Sequence, residues 1–457
     1  MSIRLTNSTA LLSDRYTMGA RLRRNAVVAL SVLALSLALL ASGACRRTPV
    51  SVTQPVATEL TMMATGESGL DLAFTNSQFE SYARTAGVRV RNIAAYDDMD
   101  NRLALFQQLF GERSPQPDIC EIDNIWPGLL ADDLLDLRPF LDEELTAFDP
   151  KLLAAFTVNG KLLALPVTMD TGILYYRTDL LQKYGYRAPP RTWDELGTMA
   201  RVIQTGERRL GKSDFWGFAW QGEEGESLTC NAFEWQTGEG GTLINADHTI
   251  DVADEGSRCA LERAASWVGT ISPKSVIQYD EEDSQNLWTS GNAAFLRSWA
   301  DAYPTSRRAS AISQSFATAP LPAGSKSRSW VFGAMALGVS KYSRHPSEAV
   351  QALRFLVSAQ VQRQRSLQLG QIPTRSDLLA DSSLLENTPF HGDLGKHWRD
   401  GLVFRPAMNV GKRYDAISHA YAATVHRVLE RKVSAADALA SLQDELGRIT
   451  GFPASKR

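Results

Sequence analysis

The segment between residues 58 and 123 alternates between strand-like and helix-like patterns, and this alternation constrains the fold more than any other feature. Three short apolar runs predict strands: TELTMMAT, VRVRNIA and PDICEID. Two intervening segments predict helices that end at a glycine: SQFESYARTAG, in which Ser77 and Glu80 form a capping box, and DNRLALFQQLFG. Strands that alternate with helices predict a parallel sheet with helices on its faces, which is an α/β fold.

The same alternation returns in the middle of the chain, and the last third is mostly helical. A second capping box, Thr192 with Glu195, predicts a helix start. Further strands are expected at FWGFAW, NAAFLRSW, FATAPLP and WVFGAMALGVS, and a helix at GSRCALERAASWVG. From Pro346 onward, helices are expected at PSEAVQALRFLVS, AQVQRQRSLQLG, YDAISHAYAATVHRVLERK and SAADALASLQDELGRIT. A chain of 457 residues with this pattern is expected to form two α/β lobes with a helical C-terminal region.

Composition and charge exclude several classes of protein. The chain is 44% hydrophobic and 22% charged, which is typical of a globular protein. Its formal net charge is only -3 and no block of like charge occurs, so no nucleic-acid partner is expected. His419 and His426 could share a helix face, but no third ligand accompanies them, so neither a metal nor a cofactor is expected.

One motif matches a phosphate-binding loop by spacing alone. Residues 206–213 read GERRLGKS, which satisfies the pattern G-x-x-x-x-G-K-S. A phosphate loop requires a strand before it and a helix after it, whereas here a predicted helix precedes and a predicted strand follows. The match is interpreted as accidental, and Lys212 is expected to be an exposed side chain with little effect on stability.

The first residues are typical of an export signal. Three arginines within residues 21–24 precede an apolar run at 26–40, and the small residues ASGA follow. The apolar run is shorter than the roughly 20 residues that a membrane span needs. Residues 1–44 are therefore expected to be a signal peptide.

Cys45 follows these small residues directly and resembles the acylated cysteine of a bacterial lipobox, although Ser42 stands where leucine is usual. Residues 45–57 are then a lipidated tether, and the protein is exported to the periplasmic or cell-surface face of the cytoplasmic membrane. Cleavage after Ala44 without lipidation is the alternative. The remaining cysteines, Cys120, Cys230 and Cys259, are expected to be buried small side chains, with at most one disulfide.

Two features point to a polar cleft. Asp170 interrupts the apolar run LALPVTMDTGILYYRTDLL, where a carboxylate needs either a partner inside the protein or a ligand. Six tryptophans lie near polar residues or glycine and could stack on the apolar face of a sugar ring, core packing being the alternative: Trp126, Trp216, Trp220, Trp235, Trp299 and Trp330.

Several stretches, in the same order, resemble extracellular solute-binding proteins of ABC sugar importers (family 1), in particular the trehalose/maltose-binding lipoproteins. They include EIDNIWPGLLADDLLDLRPFL, GKLLALPVTMDTGILYYRTDLLQKYGYRAPPRTWDEL, FWGFAWQGEEGESLTCNAFEW, ISPKSVIQYDEEDSQNLWTSGNAAFLRSW and LGVSKYSRHPSEAVQALRFL. The resemblance covers roughly residues 58–451.

The resemblance implies a two-lobed periplasmic-binding-protein fold (type II, maltose-binding-protein-like). The first lobe would comprise residues 58–168 and 318–372, and the second residues 169–317 and 373–457. Hinge crossings would fall near PVTMDTG, FATAPLP and GQIPTR.

The resemblance also implies the ligand contacts. Asp170 and Asp123 would accept hydrogen bonds from sugar hydroxyls, and Trp299 would stack on the ring. The further implied contacts are Glu226, Arg405, Asn231, Arg102 and Met335. Aromatic residues usual in relatives are missing at Thr168, Gly225 and Met335, so the expected ligand is a different disaccharide, a bulkier oligosaccharide or a ligand that is not a sugar of this type.

The function that the resemblance implies is binding without catalysis. The protein would capture a trehalose- or maltose-like di- or oligosaccharide as a monomer, without a cofactor. It would deliver the sugar to permease subunits that a separate cytoplasmic ATPase powers. The alternatives are a secreted carbohydrate hydrolase that uses Asp123 and Asp170, and a binding protein repurposed as a sensor or scaffold.

Overall fold

The computed structural model describes residues 58–64, 69–94, 99–141, 143–379, 381–387 and 401–456. The predicted signal peptide and Cys45 lie outside these ranges. No helix within them combines the length and the apolar character that crossing a membrane requires.

The strands alternate with the helices along most of the chain. The strands are β1 (Glu59–Ala64), β2 (Arg89–Ala94), β3 (Ile119–Asp123), β4 (Thr157–Val158), β5 (Lys161–Leu162), β6 (Ala164–Thr171), β7 (Ile173–Arg177), β8 (Trp216–Ala219), β9 (Ala293–Ser298), β10 (Phe316–Pro320), β11 (Trp330–Val339), β12 (Ile372–Pro373) and β13 (Leu402–Val403). The α-helices are α1 (Gly69–Ala86), α2 (Met99–Gly111), α3 (Pro150–Ala154), α4 (Thr178–Lys183), α5 (Trp193–Arg209), α6 (Glu226–Gly238), α7 (Glu255–Trp267), α8 (Glu281–Thr289), α9 (Ala302–Arg308), α10 (Pro346–Leu356), α11 (Ala359–Leu369), α12 (Ser376–Leu379), α13 (Ser382–Asn387), α14 (Ala407–Val410), α15 (Tyr414–Leu429) and α16 (Ala435–Thr450).

Two main sheets organise the fold. The larger has the strand order β12-β6-β11-β3-β1-β2, with β13 paired to β11. Within it β1 runs parallel to β2 and β3, as the opening alternation predicts, while β11 runs antiparallel to β3 and β6. The smaller sheet has the order β10-β7-β9-β8. The predicted α/β class is confirmed.

The chain passes between the two sheets at places that bear on the site. It leaves β6 in the larger sheet and enters β7 in the smaller sheet through a single residue, Gly172. It returns between β10 and β11, across residues 321–329. We call these two places the first and second crossings. The lobe boundaries expected from sequence stay predictions.

One capping box is confirmed and one is wrong. Thr192 accepts a hydrogen bond from the Glu195 amide at 3.2 Å and caps α5. Ser77 instead lies inside α1, where its hydroxyl donates to the Phe74 carbonyl at 2.7 Å. The helix begins eight residues before Ser77, at Gly69, so the Ser77 hydroxyl bonds back to the preceding turn rather than capping a helix end.

Most of the tryptophans considered for ligand stacking belong to the core. Four of the six are at most 1% exposed: Trp126, Trp220, Trp235 and Trp330. Near the middle of the chain, Trp220 packs edge-to-face on Trp235, with ring centroids 5.1 Å apart. Trp216 is partly exposed and stacks on Arg208. The sugar-stacking interpretation is therefore wrong for the four buried rings, and Trp299 is left as the candidate nearest the crossings.

The GERRLGKS segment is a helix end. Helix α5 stops at Arg209 and β8 begins at Trp216, which is the order that the sequence predicts. The carboxylate of Glu207 is fully buried and binds Lys212 at 2.7 Å, Lys183 at 2.5 Å and the Tyr184 hydroxyl at 2.9 Å. Lys212 is half-exposed, as expected, but the prediction that it contributes little to stability is inconsistent with this buried partner.

The three cysteines in the described part of the chain are free thiols. Cys120 lies in β3 and Cys230 in α6, and both side chains are buried, as predicted. Cys259 in α7 is partly exposed, so the prediction of a buried side chain is wrong for this residue.

Candidate functional site

Strand register places several of the predicted ligand residues side by side. Met335 in β11 lies opposite Asp123 in β3 and opposite Thr168 in β6. Two residues further along the same pair of strands, Gly333 lies opposite Asp170. Paired residues share a face of a sheet, and so do residues two apart on one strand. These five residues therefore form a row on one face, next to the first crossing.

Asp170 has fixed partners inside the protein. Its Oδ1 atom accepts hydrogen bonds from the Thr171 amide at 2.7 Å and from the Ala300 amide at 3.0 Å. Burial and the neighbouring carboxylate of Asp301 raise the pKa of Asp170 to about 8, although the two amides and Arg297 oppose the rise. Asp170 thus joins the end of β6 to the segment that follows β9.

Trp299 lies against this row. A Cβ atom added at Gly333 would be 3.5 Å from Trp299 Cζ3 and 3.7 Å from the Asp170 Cβ atom, so the ring lies beside both residues of this pair. The Arg297 guanidinium lies 4.1 Å from the centroid of the ring. The indole N–H donates to Glu281 at 3.2 Å. The ring is partly buried and is held on one face and at one edge.

Arg405 and Glu226 bind each other. The two side chains are 2.6 Å apart, and Arg405 also donates to Asn124 Oδ1 at 3.1 Å and to the Phe332 carbonyl at 3.2 Å. A longer contact of 3.6 Å joins Arg405 to Asp123. Arg405 therefore links the ends of β3 and β11 to the first turn of α6.

Further donors complete the surroundings of the Glu226 carboxylate. The Tyr414 hydroxyl donates to it at 2.6 Å, and the Ser418 hydroxyl donates to its second oxygen. Both belong to α15, so Glu226 also connects α6 with the C-terminal helices.

One oxygen of the Asp123 carboxylate remains available to accept a hydrogen bond. Its Oδ1 atom accepts a hydrogen bond from the Ile125 amide at 2.9 Å. Within the ranges that the structure describes, its Oδ2 atom accepts none. Burial raises the pKa of Asp123, and the Arg405 charge works against this rise.

Two predicted contacts are not brought to this row. Asn231 is fully buried in α6, where its amide nitrogen donates to Gln221 Oε1 at 3.1 Å and to the Ser227 carbonyl at 2.9 Å. Arg102 is also fully buried, and its guanidinium lies 5.3 Å from the ring centroid of Trp126.

Sequence reasoning missed the residues that support Trp299. Arg297 and Glu234 form an ion pair that is 0% exposed, and Gln221 bonds to Arg297. A signal was present, because Arg297 is a charge inside the apolar strand NAAFLRSW. The reasoning applied to Asp170 would have identified it.

A narrow cleft lies beside Glu226. Its walls include Met99, Leu103, Trp126, Gly225, Glu226 and Tyr414. A Cβ atom added at Gly225 would meet nothing within 4 Å. The cleft is apolar on one wall and polar on the other. In the part of the chain described, no group of three acidic, histidine or cysteine side chains could hold a metal ion.

Residues 82–363 match the family model of bacterial extracellular solute-binding proteins. The chain belongs to this family. This solute-binding protein is 38% identical over 376 residues to a probable ABC transporter-binding protein of Deinococcus radiodurans, which covers 81% of this chain and 89% of the relative. The predicted family, the solute-binding proteins of ABC importers, is confirmed.

Solved structures agree with the family assignment. The maltose-bound MalE3 of T. maritima superposes with a TM-score of 0.81 at 31% identity, covering 86% of this chain and all of the other. The GacH receptor of Streptomyces glaucescens, solved unliganded and in complex with acarbose and an acarbose homolog, has a TM-score of 0.76 at 23% identity over 87% of this chain and 100% of that one, which shows the fold alone. The maltose-binding-protein-like, two-lobed fold is confirmed.

Proposed function

We propose that this solute-binding protein captures a di- or oligosaccharide related to maltose or trehalose and delivers it to the permease of an ABC importer. One observation carries the proposal: the Trp299 ring lies against the row that contains Asp123, Met335 and Asp170. The 31% identical MalE3 of T. maritima, which binds maltose, supports a sugar of this class.

The chemistry of the row suits a sugar. A pyranose has an apolar face, for which a half-buried indole is a flat partner, and a rim of hydroxyls. Asp123 Oδ2 is an acceptor for one of those hydroxyls, and a charge-assisted bond of this kind is about twice as strong as a neutral one. Met335 and Thr168, where the resemblance implies aromatic residues, lie opposite each other in this row and would suit a ligand of different shape.

The remaining assignments belong to the same proposal. The protein is exported, anchored through lipidated Cys45 and monomeric, and its permease is driven by a separate ATPase. Its first lobe comprises residues 58–168 and 318–372, and its second residues 169–317 and 373–457. The first crossing, at Gly172, lies close to the boundary after residue 168 and supports this division, whereas the second crossing begins only after Pro320, the last residue of β10 in the smaller sheet.

The test is a thermal-shift screen of the purified protein against mono-, di- and trisaccharides, followed by calorimetric titration. A sugar at 100 times its Kd stabilises the native state by about 2.7 kcal/mol, which raises the melting temperature. Chromatography of the incubated sugars checks for released monosaccharide. No shift with any saccharide contradicts the sugar proposal, and released monosaccharide would favour the hydrolase.

Asp123→Asn is the matched variant for the site. The amide keeps the shape of the carboxylate but removes its charge, so affinity should fall by about 1–3 kcal/mol. Asp132→Asn is the control, because Asp132 is an exposed carboxylate that pairs with Lys412. Equal losses in both variants would contradict a role for Asp123 in binding.

A further inference from the structure

Arg297 is a buried cation with a fixed geometry. Its side chain is 0% exposed, and its Nη2 and Nε atoms donate to the two oxygens of Glu234 at 2.7 and 3.0 Å. Its Nη1 atom donates to Gln221 Oε1 at 3.2 Å, and Gln221 is bonded in turn to Asn231. A bidentate pair fixes the plane of the guanidinium as well as its position.

The same guanidinium covers one face of the Trp299 ring. The 4.1 Å separation between Arg297 Cζ and the ring centroid is a cation–π contact. The indole N–H is bonded to Glu281, so the ring is constrained at its edge as well. A ring fixed in these two ways, with Gly333 beside it, is held in one orientation.

Glu234 connects Arg297 to the first crossing and to the start of β11. Its Oε1 atom accepts a hydrogen bond at 3.2 Å from the amide of Val331, at the start of β11. At the first crossing, a Cβ atom added to Gly172 would lie 2.2 Å from Glu234 Oε1 and 2.9 Å from Arg297 Nη2. The ion pair is therefore in direct contact with the first crossing and with the start of β11, the strand into which the second crossing leads.

We infer that Arg297 is a positioning residue, which orients the Trp299 ring for the ligand and connects that ring, through Glu234, to the first crossing and to the start of β11. The inference rests on the proposed function, in which Trp299 contacts the sugar. Stability alone does not account for the pair, because buried ion pairs can often be replaced by apolar side chains without loss. Orientation of the ring is a role that such a replacement would not serve.

The test combines Arg297→Lys with Trp299→Phe in a double-mutant cycle. Lysine keeps the charge near Glu234 but lacks the planar group that covers the indole. The first measurement needs no ligand: the near-UV circular dichroism of Trp299, taken as the difference between each protein and its Trp299→Phe counterpart. Arg177→Lys is the matched control, because Arg177 is a buried arginine of the same sheet that pairs with Asp179.

Arg297→Lys should change the Trp299 signal, and Arg177→Lys should leave it unchanged. The second measurement is the Kd for the best sugar of the screen. Arg297→Lys should weaken binding about fivefold to tenfold, in the range of a desolvated cation–π contact, and this effect should disappear in the Trp299→Phe background.

An unchanged Trp299 signal overturns the inference, and so does a loss of affinity that is the same in both backgrounds. If no saccharide binds the wild-type protein, the proposed function fails, while the spectrum still decides whether Arg297 orients the ring. Should Arg297→Lys not fold, Glu234→Gln takes its place, because it keeps the shape of the partner and removes the charge that holds the guanidinium.

Discussion

Glu226 Oε1 accepts a hydrogen bond from Arg405 at 2.6 Å, and this contact joins helix α6 to the ends of β3 and β11. The family resemblance implies that both residues contact the ligand. In the structure each is the main partner of the other, and Arg405 also bonds to Asn124 and to the Phe332 carbonyl. The pair is therefore a connection between elements, whatever further contact a ligand makes with it.

Removal of the cation should destabilise the protein. Arg405→Met is expected to lower the free energy of unfolding by about 3–5 kcal/mol, because it leaves the Glu226 carboxylate without its charged partner. Glu226→Gln keeps the shape that Tyr414 and Ser418 contact, so its loss should be smaller. Urea unfolding of both variants measures the difference. Wild-type stability in Arg405→Met would show that desolvation cancels the attraction.

Asp170 should make stability depend on pH near neutrality. Its pKa of about 8 lies above the roughly 3.9 of an unfolded chain, so the native state holds a proton that the unfolded state releases. The contribution of Asp170 to the free energy of unfolding is therefore fully present below pH ~4 and is lost as pH rises through about 8. In Asp170→Asn, the melting temperature should therefore vary less with pH across this window than it does in the wild-type protein.

Asp301 contributes to the pH dependence of stability with the same sign as Asp170, because burial and Glu281 raise the pKa of Asp301 to about 6. Asp132→Asn serves as the control: hydrogen bonding to Lys412 lowers the pKa of Asp132, which places its effect at acidic pH. A melting profile of Asp170→Asn that keeps the wild-type slope between pH 5 and pH 8 would assign the dependence to other groups.

Glu207 should act in the opposite direction. Burial alone would raise its pKa, but hydrogen bonds from Lys183, Lys212 and Tyr184 outweigh burial and lower it to about 2. Its contribution is present above about pH 4.3, the unfolded pKa, and is lost as pH falls through about 2. Glu207→Gln should therefore reduce the pH dependence of the free energy of unfolding between about pH 4.3 and pH 2. Its dependence on pH near neutrality should not change. Unfolding followed by far-UV circular dichroism measures both.

Lys212 tests the accidental phosphate-loop match. Lys212→Ala should cost about 1 kcal/mol, because it removes one of the charged partners of buried Glu207. Saccharide affinity should not change, and neither protein should bind ATP. ATP binding by the wild type that disappears in the variant would reverse the interpretation of GERRLGKS.

Trp299 should contribute to ligand affinity more than to folding. Trp299→Ala is expected to weaken saccharide binding by about 2 kcal/mol or more, as truncation of an aromatic anchor commonly does. Trp216→Ala is the control, because Trp216 forms a similar stack with Arg208, whose Cζ lies 4.2 Å from the ring centroid, at the start of β8. Titration calorimetry with unliganded melting temperatures separates the two effects. A large loss of unliganded stability without loss of affinity would place the ring in the core.

Two glycines beside the site should respond differently to alanine. At Gly172 the added Cβ would lie 2.2 Å from Glu234 Oε1, an atom that Arg297 holds in place, so a loss of about 1–3 kcal/mol is expected from overpacking. At Gly333 the nearest atom is 3.5 Å away, an ordinary contact, and stability should change little. Thermal unfolding of both variants measures this, and equal effects would contradict the packing at the first crossing.

Local patterns predicted most of the elements. The runs NAAFLRSW and WVFGAMALGVS became β9 and β11 within one or two residues of each end. Ser77 failed as a helix start because a capping box of two residues carries no information about turns that precede it. The helix extends beyond Ser77 on its N-terminal side, back to Gly69.

The site was predicted less completely, because its partners are far apart in sequence. The resemblance implied Asp123, Asp170 and Met335 one at a time. Only the antiparallel insertion of β11 between β3 and β6 brings them into one row. The contact between Glu226 and Arg405 likewise depends on tertiary packing that no local pattern encodes.

The two buried cysteines can serve as separate chemical probes of two regions, the larger sheet around β3 and the helix α6. Burial raises the pKa of the thiols of Cys120, in the larger sheet, and of Cys230, in α6, so neither is a thiolate in the native protein. A thiol reagent can then modify them only during local unfolding, whereas the partly exposed Cys259 reacts from the native state. Labelling rates at the three positions, read by mass spectrometry with and without sugar, would report separately how far a ligand suppresses opening around β3 and around α6.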